Sequence, residues 1–125
     1  MTDKQKFVEM FNNKMSEFIK DLIDVFPNDK DFKLAKNTFN LCKLTDEKKP
    51  AKLYNAMIQP FKQHILNKND EFFLTNDYSD IIQNDPDVSS ELIIKLKSYW
   101  VSLKTEKDVV WQYLILLTRI SDKCI

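Results

Sequence analysis

The chain has 125 residues, 43% apolar and 12% aromatic, with 19 basic and 19 acidic side chains and a formal net charge of zero. That is enough for one domain burying about two thirds of its unfolded surface, and too apolar for a disordered chain. It contains no glycine, which excludes the dinucleotide fingerprint, the phosphate-cradling P-loop, the nucleophile elbow and the glycine loop of kinases, and argues against tight β-hairpins.

The first predicted element is a helix opening at Thr2, with Phe7, Phe11, Met15, Phe18 and Leu22 at helical spacing and Val8, Ile19 and Phe26 widening the stripe. Lys6, Glu9, Asn13, Lys14, Lys20 and Asp24 fall on the opposite, solvated face. Pro27 ends it. A second helix starts near Asn28 or Asp29 and carries Phe32, Ala35, Phe39 and Cys42 inward, with Leu34 and Leu41 beside them, as far as Leu44. A third has Pro50 in its first turn and an inward stripe of Leu53, Ala56, Met57, Phe61, His64 and Ile65. Pro60 should kink or split it. It dies at Asn67, Lys68 and Asn69, where asparagine is expected to take the left-handed cap that glycine usually fills.

A single helical turn follows Asp70, then a turn over residues 75–77 and another short helix through Gln83, in an irregular acidic stretch that runs on to a helix starting between residues 86 and 90. That helix turns Leu92, Ile93, Leu96, Tyr99, Trp100 and Leu103 inward and Lys95, Lys97 and Ser102 outward. The last helix opens at Thr105, with Asp108 three places on as a capping box. It is apolar nearly all round, from Val109 to Ile120, as a helix surrounded by others should be. The expected architecture is all-α: one domain over residues 1–125, five or six helices bundled around the C-terminal helix, and an irregular segment near 68–88.

No constellation assigns catalysis. His64 is the only histidine and reads as a core or helix-boundary residue, since neither an orienting carboxylate nor a nucleophile is placed beside it. Cys42 and Cys124 read as reduced thiols; a disulfide between them would need alpha carbons within about 7 Å. Asp77, Asp80, Asp85 and Asp87, with Asn76 and Asn84, are rich in oxygen ligands but miss the spacing and glycine of a calcium loop. Their ordinary role is capping and solvation. Neither cofactor nor metal is expected. The sequence shows no leader and no membrane-length apolar run, which leads to the expectation of a soluble intracellular protein with no membrane partner.

Charge is unevenly distributed. Residues 1–29 carry −2, residues 30–69 carry +6, residues 70–94 carry −7 and residues 95–125 carry +3. Such a chain either cancels its charges on folding or presents a dipolar surface that steers a charged partner or pairs with itself head to tail. Lys43, Lys48, Lys49, Lys52, Lys62 and Lys68 could neutralise phosphates, giving non-specific nucleic-acid binding. With one arginine against eighteen lysines, base-specific readout is not favoured.

Three stretches carry a resemblance. They are the run from Phe18 to Phe32 (E-F-I-K-D-L-I-D-V-F-P-N-D-K-D-F with the preceding Glu17), the run from Asp70 to Asp80 (D-E-F-F-L-T-N-D-Y-S-D), and Y-W-x-x-L-x-x-x-K-x-x-V-W-Q-Y-L around Trp100 to Leu114. Together they resemble a group of small helical proteins of nucleocytoplasmic large DNA viruses. The resemblance implies a viral origin, with host cytoplasm, viral factory or virion as location, and it implies no activity. The expected function is a non-catalytic protein–protein interaction module, with self-association open, using Phe72, Phe73, Tyr78 and Trp100. The alternative is a nucleic-acid-associated virion or transcription protein using the six lysines.

Overall fold

The computed structural model describes residues 3–74 and 88–125, and all of their side chains except those of residues 61, 72, 73 and 88–91. Among the described residues the structure is all-helical: α1 (Asp3–Val25), α2 (Lys30–Thr45), α3 (Lys49–Ile58), α4 (Lys62–Leu66), α5 (Asp70–Leu74), α6 (Val88–Tyr99) and α7 (Glu106–Cys124). Pro60 breaks the third helix as expected: α3 passes into α4 through one 3-10 turn, Gln59–Phe61. No described helix is long and apolar enough to cross a membrane.

α1 follows its pattern, with Val8, Phe11, Met15, Phe18, Ile19 and Leu22 buried. Its inner face lies along α7 and touches α2 and α3. Asn12 is also buried, and its side-chain amide donates to the Glu47 carbonyl at 2.9 Å, fastening α1 to the α2–α3 turn. After Val25 the chain turns through Pro27, and Asp29 caps α2 from an extended backbone, its Oδ1 accepting the Asp31 N–H at 2.8 Å. The second Asp29 oxygen accepts the Tyr99 hydroxyl and lies 3.3 Å from Lys95 Nζ. Phe26 stacks on Tyr99 at 4.2 Å and on Phe32 at 5.7 Å. One turn thus binds the end of α1 and the start of α2 to the end of α6.

Four local expectations are corrected. α3 buries Ala51, Tyr54 and Ile58, while Ala56 and His64 are exposed. The register shifts because Tyr54 finds partners inside: its hydroxyl donates to the Leu114 carbonyl at 3.1 Å and meets Thr118 Oγ1 at 3.0 Å. A buried phenol so satisfied costs little, and burial pushes its pKa well up. Lys97, expected outside, is only 6% exposed. It stands four residues after Ile93 and three before Trp100, hence on their face, where its aliphatic stem can pack. The capping box at Thr105 is not made, because Thr105 already has helical backbone angles and makes no side-chain cap bond. Instead the Glu106 carboxylate accepts the Lys104 N–H at 3.1 Å.

The fourth correction concerns the end of α4. Lys68, with φ 52°, takes the left-handed position there, while Asn67 and Asn69 flank it. The Asn69 N–H donates to the His64 carbonyl at 2.9 Å and the Lys68 N–H to the Ile65 carbonyl at 3.1 Å, the paired bonds of a Schellman cap. A side chain with a β-carbon is disfavoured in that conformation. Lys68→Gly is therefore expected to raise the unfolding free energy by about 0.5–1 kcal/mol, read as a higher urea midpoint with an unchanged slope.

α7 is the hub of packing, lying against α1, α3 and α4, with Val110, Trp111, Leu114, Leu117 and Ile120 buried. It is not enclosed all round. Val109, Gln112, Leu116 and Arg119 form an exposed stripe along it. Cys42 and Cys124 are both half-buried thiols, with no disulfide between them.

Candidate docking surface

α2 has two apolar faces. Phe32, Ala35 and Phe39 are buried, whereas Leu34, Leu41 and Leu44 are 59%, 66% and 81% exposed. At about 100° per residue these three leucines fall together on the side away from the core. Leu34 and Leu41 are one heptad apart, and Asn37 and Leu44 are another such pair, the a/d spacing of a helix that packs on a second helix. Leu34 and Leu41, expected beside the core stripe, thus belong to an outer one. Lys30, Lys33 and Lys36 are exposed on the same helix, with no ion-pair partner among the described residues. The acidic residue of its first turn, Asp31, is held by Lys95 at 2.7 Å. The outward side of α2 is therefore apolar and basic.

A second surface lies between the last turns of α1 and the first turns of α7. Its floor is Phe18, Leu22, Leu103 and Val110, all buried, and its lips are Val25 and Val109, 43% and 46% exposed. Asp21, Asp24 and Glu106 line it and no cation does. Its volume is about 220 Å³, below the roughly 300–1,000 Å³ of ligand pockets. The Tyr113 hydroxyl donates to Asp21, and burial, with that carboxylate beside it, pushes the phenol up to about 12. This groove suits a few apolar side chains with basic neighbours, and poorly suits an anionic ligand.

A third cleft, about 890 Å³, is open and mixed in charge, with Lys4, Lys48 and Lys52 against Asp46 and Glu47. Cys124 lines it, but burial raises the thiol's pKa, which disfavours the reactive thiolate. His64 lines neither the groove nor this cleft. Its Nδ1 is 2.9 Å from the Asn69 side-chain amide.

Of the residues the sequence singled out for partner binding, Trp100 is fully enclosed at 0% exposure. Its ring packs edge-on against Trp111 at 5.3 Å, with Lys107 Nζ 5.5 Å from its centroid. It offers no surface to a partner, because position 100 continues the inward face of Ile93 and Leu96. Phe72 and Phe73 lie on α5; their side chains, Tyr78, the turn and short helix expected over 75–83, and the Asp77–Asp80–Asp85–Asp87 cluster lie outside the described residues. The six lysines are dispersed. Lys48, Lys49, Lys52 and Lys68 are exposed, Lys43 sits 5.3 Å from the Phe39 ring centroid, and Lys62 is paired with Asp122. Lys48 and Lys52 share a cleft, and Asp46 and Glu47 share it with them.

Among protein-family models, curated proteins and solved structures, none matches the chain. The viral resemblance rests on the sequence stretches alone.

Proposed function

We propose that this chain is a non-catalytic protein–protein docking module of large-DNA-virus origin, and that the outer face of α2 is its docking element. The partner segment is an amphipathic helix with an apolar stripe flanked by carboxylates. The observation that carries this reading is the contiguous stripe of Leu34, Leu41 and Leu44, left in solvent on a helix already anchored by its opposite face. Single exposed leucines are ordinary. Three at heptad spacing are not, since full burial of each would contribute about 1.5–3 kcal/mol, against a total domain stability of about 5–15 kcal/mol.

The free lysines set the sign of the partner, since opposite charges at the rim of a helix-in-groove contact speed encounter and fix register. The same face carries neither arginine nor an exposed aromatic ring, so it lacks the stacking and bidentate groups that nucleic-acid binding uses. That favours protein over nucleic acid as the occupant.

A synthetic helical peptide with leucines at heptad spacing and glutamates beside them is the probe, titrated into the full chain and read by fluorescence anisotropy. The expected result is saturable binding that weakens with salt and falls at least about tenfold in Leu41→Glu, the loss of one buried leucine contact. Equal binding of a lysine-flanked version, or indifference to Leu41→Glu, would refute the assignment.

A further inference from the structure

We infer that one occupant of the α2 face is a second copy of this chain, whose acid-lined groove between α1 and α7 receives the leucine stripe. The inference rests on the docking reading of α2 and names its partner. The two surfaces are complementary in each respect that the structure describes. The α2 face is convex and apolar, with Lys30, Lys33 and Lys36 around Leu34 in its first turns; the groove is concave, apolar and lined by Asp21, Asp24 and Glu106. Val25 and Val109 offer exposed apolar lips on either side of the groove.

Pairing of α2 with α2 is the competing arrangement. In parallel it would bring unpaired lysines together, and only an antiparallel pair would set them against Asp46 and Glu47 at the far end of the helix. Like charges brought together disfavour the parallel contact. The groove supplies carboxylates of its own.

The stripe is on the outer side of α2, and the groove is formed by α1 and α7, so one copy presents both surfaces. Made in both directions between two copies, the contact closes a two-fold dimer. Made in one direction only, it stays open between the two, and propagates as a chain or closes as a ring, depending on the rotation between copies. Salt weakens it by screening the lysine–carboxylate rim.

The experiment separates the two halves of the contact. Leu41→Glu places a carboxylate in the stripe, and Val109→Lys places a cation on the groove's lip. Both sites are exposed, so both variants are expected to fold, checked by an unchanged helical circular dichroism spectrum and thermal midpoint. Sedimentation velocity of the wild-type chain should show a mass that rises with concentration, less steeply at high salt. Each variant alone should remain a monomer. Mixed in equal amounts, they should form a 1:1 dimer and nothing larger, because the mixture retains one intact stripe and one intact groove.

A wild-type chain that stays monomeric at every concentration overturns the inference. So does a mixture that stays monomeric while the wild type associates, or a variant that associates as the wild type does. If the wild type is monomeric but the acid-flanked peptide still binds through Leu41, the docking reading stands and only self-docking falls. If the peptide fails as well, both fall.

Discussion

Replacing Trp100 with alanine is expected to lower the unfolding free energy by about 3–5 kcal/mol, the usual cost of removing a large aromatic ring from a packed core. The ring is fully buried and sits edge-on to Trp111, whose own indole N–H donates to Asp70 at 3.1 Å. Emptying the site therefore removes the burial and the ring pair, and loosens the wall that positions Trp111 against α5. Urea unfolding followed by circular dichroism measures this. The outcome also discriminates between two roles, because a surface anchor could be truncated with little change in stability. A loss below about 1 kcal/mol would return Trp100 to the candidates for partner contact.

The parts of this fold that were legible in the sequence are those whose signal is local and repeated. α1 holds one apolar stripe, and six of the eight predicted residues are buried, with Asn12 added, while Phe7 and Phe26 at its ends are only partly buried. Pro27 and Pro60 act through backbone geometry that neighbours cannot override. What escaped depends on distant residues. Burial of Tyr54 requires the Leu114 carbonyl and Thr118, about sixty positions away, so the pattern of α3 alone cannot fix its register. Lys97 reads as a solvent residue until the position of its face is known.

The candidate site divides in the same way. The leucine stripe was present in the sequence as heptad spacing, but two apolar faces on one helix read as a single broad one, and only the neighbours of α2 decide which face is covered. The groove had no sequence signature. Asp21 and Asp24 come from α1 and Glu106 from α7, and only folding puts them around one apolar floor. The charge asymmetry along the chain did not locate the groove either: Asp21 and Asp24 come from the segment of charge −2 and Glu106 from the segment of charge +3.

Asp29→Ala is expected to cost about 2–4 kcal/mol, because one side chain serves three elements. Loss of the N-cap alone costs about 1 kcal/mol, and leaving the Tyr99 hydroxyl without its acceptor adds about 1–3 kcal/mol, while Lys95 keeps Asp31. The carboxylate is nearly enclosed, with 7% of its side chain exposed. Burial by itself would raise its pKa, but the Tyr99 hydroxyl, the Asp31 N–H and the Lys95 ammonium outweigh that and hold it below the ordinary aspartate value. A carboxyl whose pKa is lower folded than unfolded contributes stability that is complete above the unfolded value, about 3.9. That contribution is lost as pH falls from there through the folded value. The wild type should therefore lose stability on acidification in this window. Asp29→Asn keeps the capping oxygen but puts an NH2 donor where the second oxygen accepts from Tyr99, and it cannot titrate, so its stability should fall less than that of Asp29→Ala near neutral pH and change less steeply in acid. Urea midpoints measured from neutral pH down to about pH 3 for the three proteins provide the test. Parallel acid slopes for wild type and Asp29→Asn would show that the junction of α1, α2 and α6 is held by packing of Phe26, Phe32 and Tyr99 rather than by this carboxylate.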